Sequence, residues 1–234
     1  MRLISYRNLT AIIAITMIGL GIGVAKADSL YVGDSNDNTV KRFDAGTGNY
    51  LGVFVNHNGC PQNPPSAPPP GCLYGPTGLI FDGQGPEGHL LVADQNVNLN
   101  IPGAIYEYNS TTGAFIKALV PYTAKLGMAV IAPPAPRGII LYPRSGGGGT
   151  TLFVASPSGV TTDPTTPGSL QAFDGTTGEF IGFLPSTSSF HPRGVVIGPD
   201  RTSLCIQRPR YFGRKRWSNP ALQPGDARFY RYLC

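Results

Sequence analysis

The sequence is poor in charge and in long apolar runs, and it has a single tryptophan. Only 13% of its 234 residues are charged. Beyond Val24 no apolar run approaches the roughly 20 residues that a membrane helix needs. Nothing past residue 27 keeps the 3.6-residue period of a long helix, so a helical bundle is excluded. There is no H-E-x-x-H, no G-x-S-x-G and no phosphate-binding loop, which removes the common metalloproteases, serine hydrolases and nucleotide hydrolases. The three histidines, His57, His89 and His191, are scattered, and no two cysteines have C-x-x-C spacing, so a structural zinc site is not expected.

Glycine and proline are abundant instead. The 31 Gly and 23 Pro exceed a fifth of the chain, a composition that suits many short strands joined by turns. At the N-terminus Arg2 and Arg7 precede a 14-residue apolar run, Ala11 to Val24, followed by Ala25-Lys26-Ala27. That is the pattern of a cleaved signal peptide, residues 1–27. The mature chain, 28–234, is then expected in the periplasm or outside the cell, with no stable membrane span after cleavage.

Export makes disulfides possible. Cys60 and Cys72 bracket PQNPPSAPPPG, a segment too stiff and polar to pack unaided, and a bridge between them is expected to pin its ends. The partners of Cys205 and Cys234 are left open. Charge is uneven: residues 28–200 carry 7 basic and 12 acidic groups, whereas 201–234 carry 8 basic and 1 acidic. In the basic part, RPRYFGRKRW (Arg208 to Trp217) interleaves cations with aromatics, a mixture able to grip nucleic acid or an acidic membrane surface. An exported protein does not meet nucleic acid as a natural partner, so a solvated loop is the simpler reading.

A hairpin is written three times. FDAGTGNYLG begins at Phe43, YNSTTGAFIK at Tyr108 and FDGTTGEFIG at Phe173, each 65 residues after the last. A fixed long period marks a repeat architecture. Before each hairpin comes an apolar strand: SLYVGD at Ser29, HLLVAD at His89, TLFVAS at Thr151 and, more faintly, TSLCIQ at Thr202. These runs are almost wholly apolar and read as strands buried on both faces. A Pro-x-Gly strand comes earlier still: GPTGLIFDGQG at Gly75, APRGIILYPRSG at Ala135 and HPRGVVIGPD at His191.

Four antiparallel strands per unit, stacked so that each sheet covers the next, point to an all-β, β-propeller-like fold; the alternative, a β-sandwich or parallel solenoid, does not require a four-strand unit. The units are approximately 28–56, 73–121, 135–186 and an incomplete 189–234, or about three and a half blades. PGDARFYRY, Pro224 to Tyr232, matches the third strand PGSLQAFD of the preceding unit, and the sequence stops where the next Thr-Gly turn is due. That pattern is the one expected of a truncated array.

The order P-x-G-[LIV]-x-[FLI]-D, L-[YLF]-V-[AG]-D, [YF]-[DN]-x-x-TG resembles the NHL repeat and the related propellers of the regucalcin/gluconolactonase and streptogramin lyase type. The resemblance covers residues 29 to 205. It implies a binding or scaffold module with no catalytic activity of its own, facing a protein or small-molecule ligand. The alternative it implies is a hydrolase or lyase of the lactonase type, using a divalent metal.

The candidate residues sit where loops converge. Arg137 and Arg193 hold the same place in P-R-G, with Thr77 in the corresponding position of the earlier unit. Two guanidiniums at the start of innermost strands can grip a carboxylate or phosphate, or can pair with Asp94 or Asp34 of a neighbouring blade. With Thr77, Asp34 and Asp94 they form the expected ligand-binding rim. In the enzymatic alternative His191, Arg193 and Arg137 are the catalytic candidates. Asp34-Ser-Asn36-Asp-Asn38 and Asp94-Gln-Asn96-Val-Asn98 share D-x-N-x-N, oxygen ligands spaced for Ca²⁺ or another divalent metal in that alternative. Neither copy has the Glu that closes a calcium loop, since Ala45 and Ile105 stand there, and Asp and Asn equally bond their own backbone in turns. No cofactor is expected of the binding module. The unfinished last blade leaves sheet edges that invite a homo-oligomer.

Overall fold

The computed structural model describes residues 28–62, 67–83, 88–96, 99–144, 149–157, 167–184, 190–198 and, for the backbone alone, 204–207. The signal segment, the basic stretch 208–217, the matching segment 224–232, Asn98 and the side chain of Cys205 lie outside the described residues.

The described residues contain no helix. Four antiparallel sheets follow one another along the chain. The first holds β1 (Ser29–Asp34), β2 (Thr39–Asp44) and β3 (Tyr50–Val55). The second holds β4 (Pro76–Phe81), β5 (His89–Asp94), β6 (Ala104–Asn109) and β7 (Phe115–Val120). A short hairpin, β8 (Lys125–Leu126) and β9 (Ala129–Val130), decorates the next connection. The third sheet holds β10 (Gly138–Pro143), β11 (Thr150–Ser156), β12 (Ser169–Asp174) and β13 (Phe180–Phe183), and the fourth holds β14 (Gly194–Ile197) and β15 (Leu204–Gln207). Within each sheet the strand order is the chain order, which is the meander of a propeller blade. Among the described residues the first sheet has three strands and no Pro-x-Gly strand.

The core is three layers, each between two consecutive sheets. Period-two alternation divides the side chains: Leu90 and Val92 of β5 join Val40 and Val55 of the first sheet, while Leu91 and Ala93 join Ile139, Leu152 and Val154 of the third. β11 repeats the division, with Phe153 and Ala155 packing against Val195 of β14. β5 and β11 are thus buried on both faces, as their unbroken apolar runs predict. Each fully buried Leu or Val contributes about 1.5–3 kcal/mol relative to exposure.

The recurrent hairpin has one geometry in all three copies. Asp44, Asn109 and Asp174 each accept the two backbone N–H groups two and three residues on, at 2.7–3.0 Å. Gly48, Gly113 and Gly178 follow with φ of 74°, 70° and 74°, a conformation that a β-carbon disfavours. The bend packs outward as well as turning. A Cβ on Gly113 would run into the carbonyl of Phe54, and one on Gly178 into that of Leu119, so each turn tucks under the outermost strand of the preceding sheet.

Candidate functional site

The Pro-x-Gly segments begin the innermost strands, and their glycines let those strands converge. A Cβ on Gly78 would meet the carbonyl of Arg137, and one on Gly138 would meet the backbone of Gly194 and Arg193. The residue before each glycine is thereby carried towards its counterpart in the next sheet. Arg137 and Arg193 come together in this way, both on the exposed surface. Partial burial lowers the pKa of Arg137, and the positive charge of Arg193 lowers it further.

Thr77 is not available in the same manner. Its hydroxyl lies 2.8 Å from the carbonyl of Pro136 and 3.2 Å from that of Ala93, so it donates across the junction of the second and third sheets. The pairing of the arginines with Asp94 or Asp34 does not occur. Asp94 is fully buried, and both its carboxylate oxygens accept the backbone N–H of Tyr74, at 2.9 and 3.0 Å. Burial nevertheless raises its pKa to about 7, outweighing the hydrogen bonds from Tyr74 and from the backbone of Asn96. Asp34 accepts from Asn36 N at 2.9 Å and is paired with Lys41 at 2.5 Å, and Lys41 also reaches Asp37 at 2.7 Å. These contacts hold the Asp34 carboxyl below its usual range, Lys41 first among them. Among the described residues neither arginine has an acidic partner.

The D-x-N-x-N segments act as turns. Asn38 and Asn96 have φ of 60° and 51°, and Asn96 donates through its side-chain amide to the carbonyl of Pro102 at 2.6 Å. The oxygens of Asp94 and Asp34 are committed on separate sheets, Asp94 to Tyr74 N and Asp34 to Lys41 and Asn36 N, and Asn98, the fourth residue of the alternative metal set, lies outside the described residues. His191 is half-buried with Nδ1 2.7 Å from the carbonyl of Pro157. A carbonyl only accepts, so Nδ1 carries the proton. The other histidines are equally local: the ring of His57 lies edge-on to Tyr74, and His89 sits 3.1 Å from both Asp82 and Glu107.

Residues that the sequence does not single out surround Asp94. Tyr106 and Tyr108 of β6 face the first sheet, and burial raises both hydroxyl pKa values, with the Asp94 charge adding to the effect. Tyr108 donates to the carbonyl of Gly71 at 3.1 Å, and Tyr74 donates to that of Pro61 at 2.8 Å. Both acceptors belong to the loop closed by the Cys60–Cys72 disulfide, 12 residues apart. The disulfide therefore clamps a cover over the seam between the first two sheets. The signal was present as aromatic residues at alternate positions of AIYEYN, but alternation alone does not reveal a buried carboxylate nearby.

No family model matches the chain, and no curated protein matches it. Among solved structures the chain is similar to the Dos1 propeller, with 20% identity and a TM-score of 0.39. The alignment covers 76% of this chain and 35% of that one, so this chain spans about a third of that propeller's length.

Proposed function

We propose that the protein is an exported NHL-type propeller module without catalytic activity of its own, which binds an anionic group between Arg137 and Arg193. One observation carries the reading: two guanidiniums share one exposed site, Arg193 depresses the Arg137 pKa, and no carboxylate among the described residues faces them. Like charges held together are unfavourable, and a carboxylate or phosphate placed between them relieves the repulsion while accepting bidentate hydrogen bonds. The ligand is a protein or small molecule carrying such a group. The Cys60–Cys72 disulfide supports an oxidising compartment.

The test is thermal unfolding at low ionic strength with increasing inorganic phosphate or citrate. The wild-type midpoint is expected to rise with ligand, and Arg137→Gln/Arg193→Gln is expected to abolish the rise. An equal rise in the double variant overturns the assignment, since general salt effects do not depend on these two side chains.

A further inference from the structure

The repeat shows what each sheet requires of its neighbour. On the face towards the preceding sheet, Leu90 and Val92 of β5 and the register-equivalent Leu152 and Val154 of β11 are fully buried. Their counterparts in β1 are Leu30 and Val32, which are 55% and 40% exposed. Cross-strand register places Phe43 and Tyr50 beside Leu30, and Lys41 and Val53 beside Val32, so this is one continuous and largely apolar face. The hairpin glycines agree. Gly113 and Gly178 abut the preceding sheet, whereas a Cβ on Gly48 would meet nothing within 4 Å.

The opposite kind of face is also uncovered. In β4 and β10, Ile80 and Ile140 point towards the following sheet and pack against its side of the shared core layer. The equivalent residue of β14 is Val196, 57% exposed, while its neighbour Val195 is buried against the third sheet. The described chain thus presents the two complementary halves of its own repeating contact. They are not closed on one another, because closure would bury Leu30, Val32 and Val196 together.

We propose that a second copy of this chain docks head to tail, its Val196-bearing face of β14 covering the Leu30/Val32 face of β1–β3. The occupant follows from a contact the fold already makes: Ile80 of the Pro-x-Gly strand β4 packs in one layer with Leu152 and Val154 of β11, the β5-type strand of the next sheet. Two such contacts related by a two-fold axis join the copies into one assembly, with each copy giving a head and a tail.

Sedimentation velocity or light scattering on the mature chain tests this. Wild-type protein is expected at twice the chain mass, and Leu30→Asp/Val32→Asp and Val196→Asp are each expected at the chain mass. Far-UV circular dichroism and the melting profile show that each variant is folded. Mixing the two variants restores one intact contact and is expected to restore a two-copy species, a result a non-specific loss of stability does not give. A monomeric wild type overturns the proposal. So does a dimer that Val196→Asp leaves intact, which requires a head-to-head contact, or a mixture of variants that stays monomeric.

Discussion

Replacing Asp94 with Asn separates the two forces that meet at the first seam. The wild-type carboxyl is wholly buried, with its pKa raised from 3.8 to about 7. A raised carboxyl pKa means that the folded state favours the protonated form. The stabilising contribution is therefore complete below about pH 4, the unfolded value, and is lost as pH climbs through 7, the folded value. At 1.36 kcal/mol per unit the loss over that window is about 4 kcal/mol. Asn keeps a carbonyl to accept from Tyr74 N and carries no ionisable proton. Its amide N–H groups need partners that a carboxylate does not, which costs about 1–3 kcal/mol where they find none. Denaturant unfolding of both proteins from pH 4.5 to 8.5, read by circular dichroism, gives a difference in which other titrating groups cancel. Wild type is expected to lose stability relative to Asp94→Asn as pH rises, by several kcal/mol over the window. A flat difference, or a wild type that gains with pH, refutes the reasoning. The second result means that the hydrogen bonds from Tyr74 and Asn96 outweigh burial and the carboxylate is the native form.

Two further substitutions examine the frame around that seam. Cys60→Ser/Cys72→Ser is expected to destabilise by about 3 kcal/mol, the loop-closure value for a ring of this size, and calorimetry of oxidised and serine forms measures it. Gly48→Ala and Gly178→Ala share a φ of 74° and so share a backbone penalty of about 1 kcal/mol. Gly178→Ala also drives a methyl into the Leu119 carbonyl and is expected to cost about 2 kcal/mol more, whereas equal losses in chemical denaturation contradict the packed-turn account.

Much of this architecture is legible in the sequence because one physical device recurs. A Thr-Gly turn needs a positive φ at its last residue, a doubly buried strand needs an unbroken apolar run, and converging inner strands need a glycine after Pro-x. Those requirements write the 65-residue spacing of Phe43, Tyr108 and Phe173 into the chain. The outward role of the turns is not written there, because any residue has a carbonyl, and only the fold brings those of Phe54 and Leu119 against Gly113 and Gly178. The site is less legible for the same reason. Arg137 and Arg193 are visible as equivalent positions, but the donors and cations that claim Asp94 and Asp34 depend on tertiary placement. The basic stretch 208–217 lies outside the described residues.

Asp94 and its two equivalents, Asp34 and Ser156, differ in what their surroundings offer a carboxylate. In the second sheet the strand ends in Asp94, and the loop two residues before Pro76 offers Tyr74 N–H to both oxygens. In the third sheet the corresponding loop residue is Pro134, which has no N–H, and the acid is replaced by Ser156, completely buried and with no hydroxyl partner among the described residues. A buried hydroxyl without a partner costs far less than a buried carboxylate without one, so the loss of the donor and the loss of the acid belong together. In the first sheet no Pro-x-Gly strand is present among the described residues, and Asp34 stays near the surface, where Lys41 neutralises it. Asp94 is the acid that meets a backbone N–H from the neighbouring loop, whereas Asp34 is held by Lys41 and by Asn36 N of its own turn.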